Sequence, residues 1–433
     1  MKTKNIISAF LLSLFVICFQ HAAYACSMYK VTVDGTTMVG CNEDAWRTTS
    51  NIWFSNSKNK NEYGACFTGS RKVGSNKFAP QSGMNEEGLV FSRLVAYHPD
   101  KNLNQSDKKQ TSNDVQYLTD ILHKCKTVDE VQKYVEMYDR QNFLEDVFIY
   151  IDKSGDYLVV EPYQTISGND PSYVLANFCP SLTSNLEARK QTKYKNGEDY
   201  LKVHELDTSL DFCRSMSDSM HVCRKRNGDG TLLTSIWDTQ KGRVNLYFYH
   251  SYDSTIQYDL MEELALGDHT ISLPGLFPPN PEFNRLSDYK TPFNVNALRV
   301  TLVLIAGCIF FLAFIFLISY FKKNISDRFN FIKLLFIGLN ILLIAYLFVL
   351  ATNINIYYFD APYQHFSSDL ISLSSYIPLI LLLLIAPITF YTIRYIKVNN
   401  KSIWMKSALI FNNITYLILM LGFGYWGLFD IFS

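Results

Sequence analysis

Four long apolar segments near the C-terminus, 300–321, 334–351, 371–393 and 407–429, constrain this chain more than any other feature. A bilayer's hydrocarbon core needs about 20 consecutive apolar residues in a helix, because a helix satisfies its own backbone donors and acceptors in lipid. Each segment has about that length and almost no internal charge, which favours four transmembrane helices over buried helices of a soluble protein. The connecting loops imply an orientation. Lys322, Lys323, Arg328 and Lys333 lie between the first two segments, and Arg394, Lys397, Lys401 and Lys406 between the last two. The stretch 352–370 carries Asp360 and Asp369 but no Lys or Arg. Positive loops stay cytoplasmic, so the first span is expected to run outside to inside, leaving residues 26–297 and the C-terminus outside. The scarcity of charge within the spans argues against a transporter or channel.

The N-terminus points the same way. Lys2 and Lys4 precede an apolar run over 6–19, and Ala23-Tyr24-Ala25 forms an A-x-A site. This is the pattern of a secretory signal whose removal makes Cys26 the first residue. Two alternatives stay open: an uncleaved anchor helix, and lipoprotein processing, which also cuts before a Cys and attaches lipid to it. Lipoprotein signals usually place Leu three residues before that Cys and a small residue two before; here those places hold Ala23 and the bulky Tyr24.

The expected organisation is a signal peptide over 1–25, an extracytoplasmic domain over 26–282, a linker over 283–299 and a membrane region over 300–433. Lys+Arg and Asp+Glu balance at 40 each, which gives no reason to expect a nucleic-acid partner. The exported part holds Cys26, Cys41, Cys66, Cys125, Cys179, Cys213 and Cys223, an odd set that leaves at least one thiol without an internal partner.

Within the exported part, 28–33 alternates and ends at Asp34-Gly35, a hairpin turn signal, with 37–41 as the return strand. Further strands are expected at 51–55, 65–68 and 88–97, with hairpins at 147–161 and 231–250. Helical spacing marks 115–125, and Thr127 with Glu130 makes a capping box before a helix over 128–138. The Pro-rich 273–285 shows neither helical nor strand period. Strands with two or more helices argue for an α+β layered domain.

Cys26 carries the clearest chemistry. A free Cys with pKa near ~8.5 is mostly protonated at neutral pH and needs a base. An N-terminal Cys brings one with it, since an α-amine titrates at about 7.7–8.0.

The surrounding residues add a resemblance. Cys26-Ser27-Met28-Tyr29, then Asp34-Gly35, then Gly40-Cys41-Asn42-Glu43-Asp44-Ala45-Trp46 resembles the opening of the choloylglycine hydrolase and penicillin V acylase family. It is also similar to the acyl-CoA:6-aminopenicillanic acid acyltransferase-like group. Gly83-Met84-Asn85-Glu86-Glu87-Gly88-Leu89 and Leu175-Ala176-Asn177-Phe178 look like two further segments of that family. The resemblance spans most of 26–250 and none of the membrane region.

It implies a four-layer αββα sandwich of the N-terminal-nucleophile hydrolases, followed here by an all-α region of four transmembrane helices. It further implies Cys26 as nucleophile and base, Asp44 holding the Cys and its amine, and Asn177 as an oxyanion donor. Asn42 would position the Asp44 segment. Asn85 reads mainly as a turn residue, and Arg189 is a poor match for a later family Arg. The family's Arg before the Asn is replaced by Cys41, which argues against bile-salt or penicillin V specificity.

The activity implied is hydrolysis of a linear amide, such as an N-acyl amino acid, through a thioester. An acyltransferase and an inactive receptor or lipoprotein of the same fold are the alternatives. The expected partners are a small-molecule amide and the lipid bilayer, with no cofactor and no nucleic acid; the oligomeric state is not legible. The histidines His123, His204, His221, His250 and His269 show no paired ligand spacing, so no metal is expected. Asn227-Gly228-Asp229-Gly230 reads as a hairpin entry rather than a calcium loop, and Asn412, Asn413 and Thr415 as helix-packing groups.

Overall fold

The computed structural model describes residues 26–73, 77–99, 107–111, 113–223, 230–322, 330–358, 361, 369–397 and 402–431. The signal segment, Asn227 to Asp229, and Lys323, Arg328, Asp360 and Lys401 of the orienting loops lie outside the described residues. The chain divides into two compact units, Tyr24–Asp288 and Tyr289–Ser433.

The first unit is built on two large antiparallel sheets. One runs, edge to edge, Ser172–Leu175, Ser27–Val33, Thr36–Ala45, Gly230–Asp238, Arg243–Phe248 and Ile256–Asp259. The other runs Thr165–Gly168, Tyr157–Val160, Asp146–Ile151, Val90–Val95, Ser82–Asn85, Ala65–Gly69, Asn51–Ser55 and His269–Ser272. The first hairpin follows from its turn. Val33 pairs with Thr36, and Asp34 and Gly35 both take positive φ, 49° and 75°. That is the two-residue connection whose twist matches the flanking strands.

Side chains from both sheets share one core, with Met28, Val39 and Trp237 from the first and Ile52, Val90 and Ile149 from the second. A second core sets Phe67, Phe91 and Tyr150 against the helices Asp114–Lys124 and Val128–Glu136. A third sets Tyr29, Val31 and Ile236 against Leu210–Met220 and the flank of Thr192–Val203.

Local chemistry explains most boundaries. Thr127 Oγ1 accepts from Glu130 N at 3.3 Å, while Glu130 Oε2 accepts from Lys126 N at 2.8 Å, one residue before the cap. The helix then stops at Glu136 rather than 138, because Tyr138–Asp139 pairs in parallel with Lys109–Gln110. The stretch read as aperiodic holds the helix Pro281–Asp288. Asn280 Oδ1 accepts from Glu282 N and Phe283 N, and Pro281 opens the helix where no N–H donor is needed.

The second unit contains four helices long and apolar enough to cross a membrane: Asn296–Phe321, Ile332–Thr352, Leu370–Ile396 and Ile403–Tyr425. The last ends before 429 because Gly427 turns left-handed (φ 62°) and Leu428 N donates back to Phe423 O. Buried amides join helices: Asn340 Nδ2 donates to Asn412 Oδ1 at 2.9 Å, and Tyr416 OH to Asn340 Oδ1 at 2.6 Å. Asn413 Nδ2 donates to Thr392 Oγ1, whereas Thr415 bonds Phe411 O of its own helix.

Candidate functional site

Antiparallel register brings Cys26 and Asp44 together. Ser27 lies opposite Asn42, so the residue before Ser27 falls beside the end of the partner strand. Cys26 N donates to Asp44 Oδ2 at 2.9 Å. The hairpin needs Gly40, since a Cβ there would stand 2.2 Å from the Tyr29 ring.

Asp44 is a buried carboxylate approached by three donors. Besides Cys26 N, Thr231 Oγ1 donates to Oδ1 at 2.6 Å and Lys193 Nζ to Oδ2 at 3.2 Å. The same ammonium donates to Asn177 Oδ1 at 2.5 Å. That contact fixes the amide orientation, leaving Nδ2 as the donor end, and Nδ2 reaches Val95 O at 2.8 Å. Cys26, Asp44, Asn177 and Lys193 are each at most 5% exposed. A buried carboxylate holding an ammonium and a backbone N–H is stable because the charges are paired and hydrogen-bonded.

Burial, followed by the Asp44 charge, pushes the Cys26 thiol from 9.0 up to about 12, with Lys193 pulling the other way. The thiol is therefore neutral at physiological pH and needs a base at the moment of reaction. Gln81 Nε2 lies 3.4 Å from Sγ and also donates to Arg93 O. Cys26 has φ 86°, a left-handed backbone that costs a residue with a Cβ about 1–2 kcal/mol. That torsion is defined only while residue 25 is attached.

Arg47 closes the same region. Burial lowers its pKa, opposed by the Glu43 charge. Its hydrogen bond among the described residues is a long one, 3.4 Å from Nη1 to Ser70 Oγ. Ser70 Oγ in turn donates to Glu43 Oε1. By contrast, Arg93 is bound by both oxygens of Asp146, and Arg71 by Asp114.

The remaining candidates stand elsewhere. Asn42 ties its strand to the helix Leu210–Met220 by donating to Ser217 O, and to the neighbouring strand by accepting from Thr234 Oγ1. Asn85 secures its turn, donating to Leu122 O and Cys125 O and accepting from Leu89 N. The guanidinium of Arg189 is held by Glu198 and Asp199. Cys41, where the resembled family has Arg, is a buried thiol pushed up to about 12 by burial. The cation at Asp44 is Lys193. Lys193, Thr231, Gln81 and Arg47 were not singled out from sequence, and a Lys-rich stretch such as 190–195 reads as solvated surface.

No protein-family model and no curated protein matches the chain. Among solved structures it is similar to two variants of conjugated bile acid hydrolase from Clostridium perfringens. The first has TM-score 0.45 and 15% identity, and the second 0.44 and 16%; each covers 59% of this chain and 97% of that one. It is also similar to penicillin V acylase from Agrobacterium tumefaciens, with TM-score 0.44 and 15% identity, over 57% of this chain and 90% of that one.

Proposed function

We propose that this chain is an extracytoplasmic, membrane-anchored cysteine amidohydrolase of the αββα N-terminal-nucleophile type, cleaving linear amides. The observation that carries the reading is the bond from Cys26 N to Asp44, a carboxylate already supported by Lys193 and Thr231. Once the chain begins at Cys26, that donor is an ammonium in equilibrium with its amine, and Asp44 orients it against its own thiol.

The steps use this chain's groups. The free α-amine accepts the thiol proton, and the sulfur attacks the substrate carbonyl carbon. The carbonyl oxygen gains the charge and takes hydrogen bonds from Asn177 Nδ2 and Gln81 Nε2, each worth roughly 3–4 kcal/mol of barrier. The ammonium returns its proton to the leaving nitrogen as the C–N bond breaks. Water, deprotonated by the same amine, then attacks the thioester, releasing the acid and restoring the thiol.

Arg47 supports an anionic substrate. A partly buried guanidinium with one weak hydrogen bond among the described residues suits a carboxylate, as an N-acyl amino acid would supply. The four apolar helices and the positive loops support a catalytic domain on the outer face.

The test is amine release from N-acyl amino acids by the purified full-length protein and by Cys26→Ala, alongside N-terminal mass analysis. Equal activity in both proteins, or a lipid group on Cys26, ends the proposal.

A further inference from the structure

Three side chains that are far apart in sequence meet at the end of the six-stranded sheet where the strand Gly230–Asp238 begins. His250 Nε2 lies 2.6 Å from Glu282 Oε2, Cys223 Sγ lies 3.4 Å from the same oxygen, and the three ligand atoms fall within 4.8 Å of one another. We infer that Cys223, His250 and Glu282 form a zinc site, with the fourth position left to water.

The donor set fits the ion. Thiolate sulfur, imidazole nitrogen and carboxylate oxygen are the three ligand types Zn²⁺ takes, at about 2.3, 2.0–2.1 and 2.0–2.2 Å. Tetrahedral geometry then sets ligand atoms roughly 3.3–3.6 Å apart. The sulfur–oxygen pair already has that spacing, and the histidine–carboxylate hydrogen bond must open by less than about 1 Å.

The scaffold holds each ligand in place. Cys223 is bridged to Gly230, where the sheet strand begins. Glu282 is in the first turn of Pro281–Asp288, whose Phe283 packs edge-on against Phe248 and Tyr249. Asn280, which caps that helix, also donates to Tyr249 O at 3.3 Å. His250 is aimed by two consecutive left-handed residues, Tyr249 (φ 55°) and His250 (φ 43°). For a bulky residue such as Tyr that conformation is an outlier, and strain of this kind persists where surrounding structure holds a group in place. His221 stacks on the imidazole with centroids 5.8 Å apart, covering one ring face. The His250 side chain is 8% exposed while that of Glu282 is 41% exposed, so an ion can enter from the carboxylate side. Bound zinc would fasten the last helix of the exported unit to its sheet. The expectation of no metal rested on short-range spacing, and these ligands are too widely separated for a spacing motif.

The experiment uses the full-length protein in detergent, purified through a tag without histidine. After exposure to excess Zn²⁺ and gel filtration, elemental analysis is expected to find about one zinc per chain. With Co²⁺ in its place, an intense near-ultraviolet thiolate-to-cobalt band is expected. Cys223→Ser abolishes that band and the stoichiometric zinc. Glu282→Gln, a change at a half-exposed side chain that leaves the hydrophobic contacts intact, weakens zinc binding at least about tenfold in a chelator competition. Circular dichroism establishes that both variants fold. A wild-type protein without zinc, a cobalt complex without the thiolate band, or equal zinc retention by Cys223→Ser would each overturn the assignment. The last outcome would mean an adventitious ion elsewhere.

Discussion

Both units bury polar side chains, and they do so differently. Around Asp44 the buried groups include ions: the carboxylate and the Lys193 ammonium pair there, with the backbone N–H of Cys26 on the same carboxylate and a thiol beside it. In the membrane unit they are neutral: Asn340, Asn412 and Tyr416 bond one another, and Asn413 bonds Thr392. Neutral amides that satisfy each other join helices, contributing about 0.6 kcal/mol each on average. An ion pair kept out of water beside a nucleophile costs desolvation, and chemistry is the usual return. Under the proposed reading, what sets the Cys26 region apart is charge beside a thiol rather than buried polarity alone.

The largest effect is expected at Cys26, the proposed nucleophile. Cys26→Ala is expected to lower kcat for amide hydrolysis by ~10³-fold or more, while Asn340→Leu leaves kcat unchanged. The pH profile sharpens the point. With the thiol pushed up to about 12, thiolate is not populated at neutral pH. Activity should therefore rise as the α-amine loses its proton, at about 7.7–8.0 by its reference value. A rise tracking a group near 12 would remove the amine from the mechanism.

Next in size is the ion pair. Asp44→Asn leaves Lys193 buried without its carboxylate and is expected to destabilise the two-sheet unit by about 3–5 kcal/mol. Lys193→Met alone should behave similarly, and the double variant should cost less than the sum. Denaturant titration followed by limited proteolysis reads all three; additive losses would show that the pair is not coupled.

Arg47→Met should raise KM for N-acyl amino acids about 10–100-fold, since hydrogen bonds to charged groups contribute about 1.5–3 kcal/mol. KM for the matching neutral amides should hardly move. An equal rise for both would make Arg47 a packing residue. The smallest effect is expected in the membrane: Asn340→Leu should cost about 1 kcal/mol of thermal stability in detergent. A loss several times larger would mean that the neutral network does more than join helices.

What was legible in the sequence follows the same division. Local chemistry could be read directly: Asp34-Gly35 for the first turn, Thr127 and Glu130 for a helix start, and continuous apolar runs for the four long helices. The juxtaposition of Cys26 and Asp44 was expected only through the family resemblance; the structure makes it through the register that a two-residue turn sets in a single hairpin. Contacts made across layers were not legible. Arg189 is the nearer cation to Asn177 in sequence, yet Lys193, four residues on, reaches Asn177 and Asp44. The helices Thr192–Val203 and Leu210–Met220 escaped notice because one buries little beyond Lys193 and Gly197 and the other mixes Cys213 and Ser217 into its buried face. Cys223, His250 and Glu282 converge through sheet order and helix docking, which leave no spacing signature.

The bond from Cys26 N to Asp44 is already made in the unprocessed polypeptide. The lone pair of an amide nitrogen is delocalised into the carbonyl and does not accept a proton at neutral pH, so under the proposed mechanism the uncut chain has the pocket without its base. Cleavage would then act as an arming step: it adds a charge at a preset place, relaxes one torsion and requires no refolding. Under that mechanism the enzyme would stay dormant until the peptide bond before Cys26 is cut.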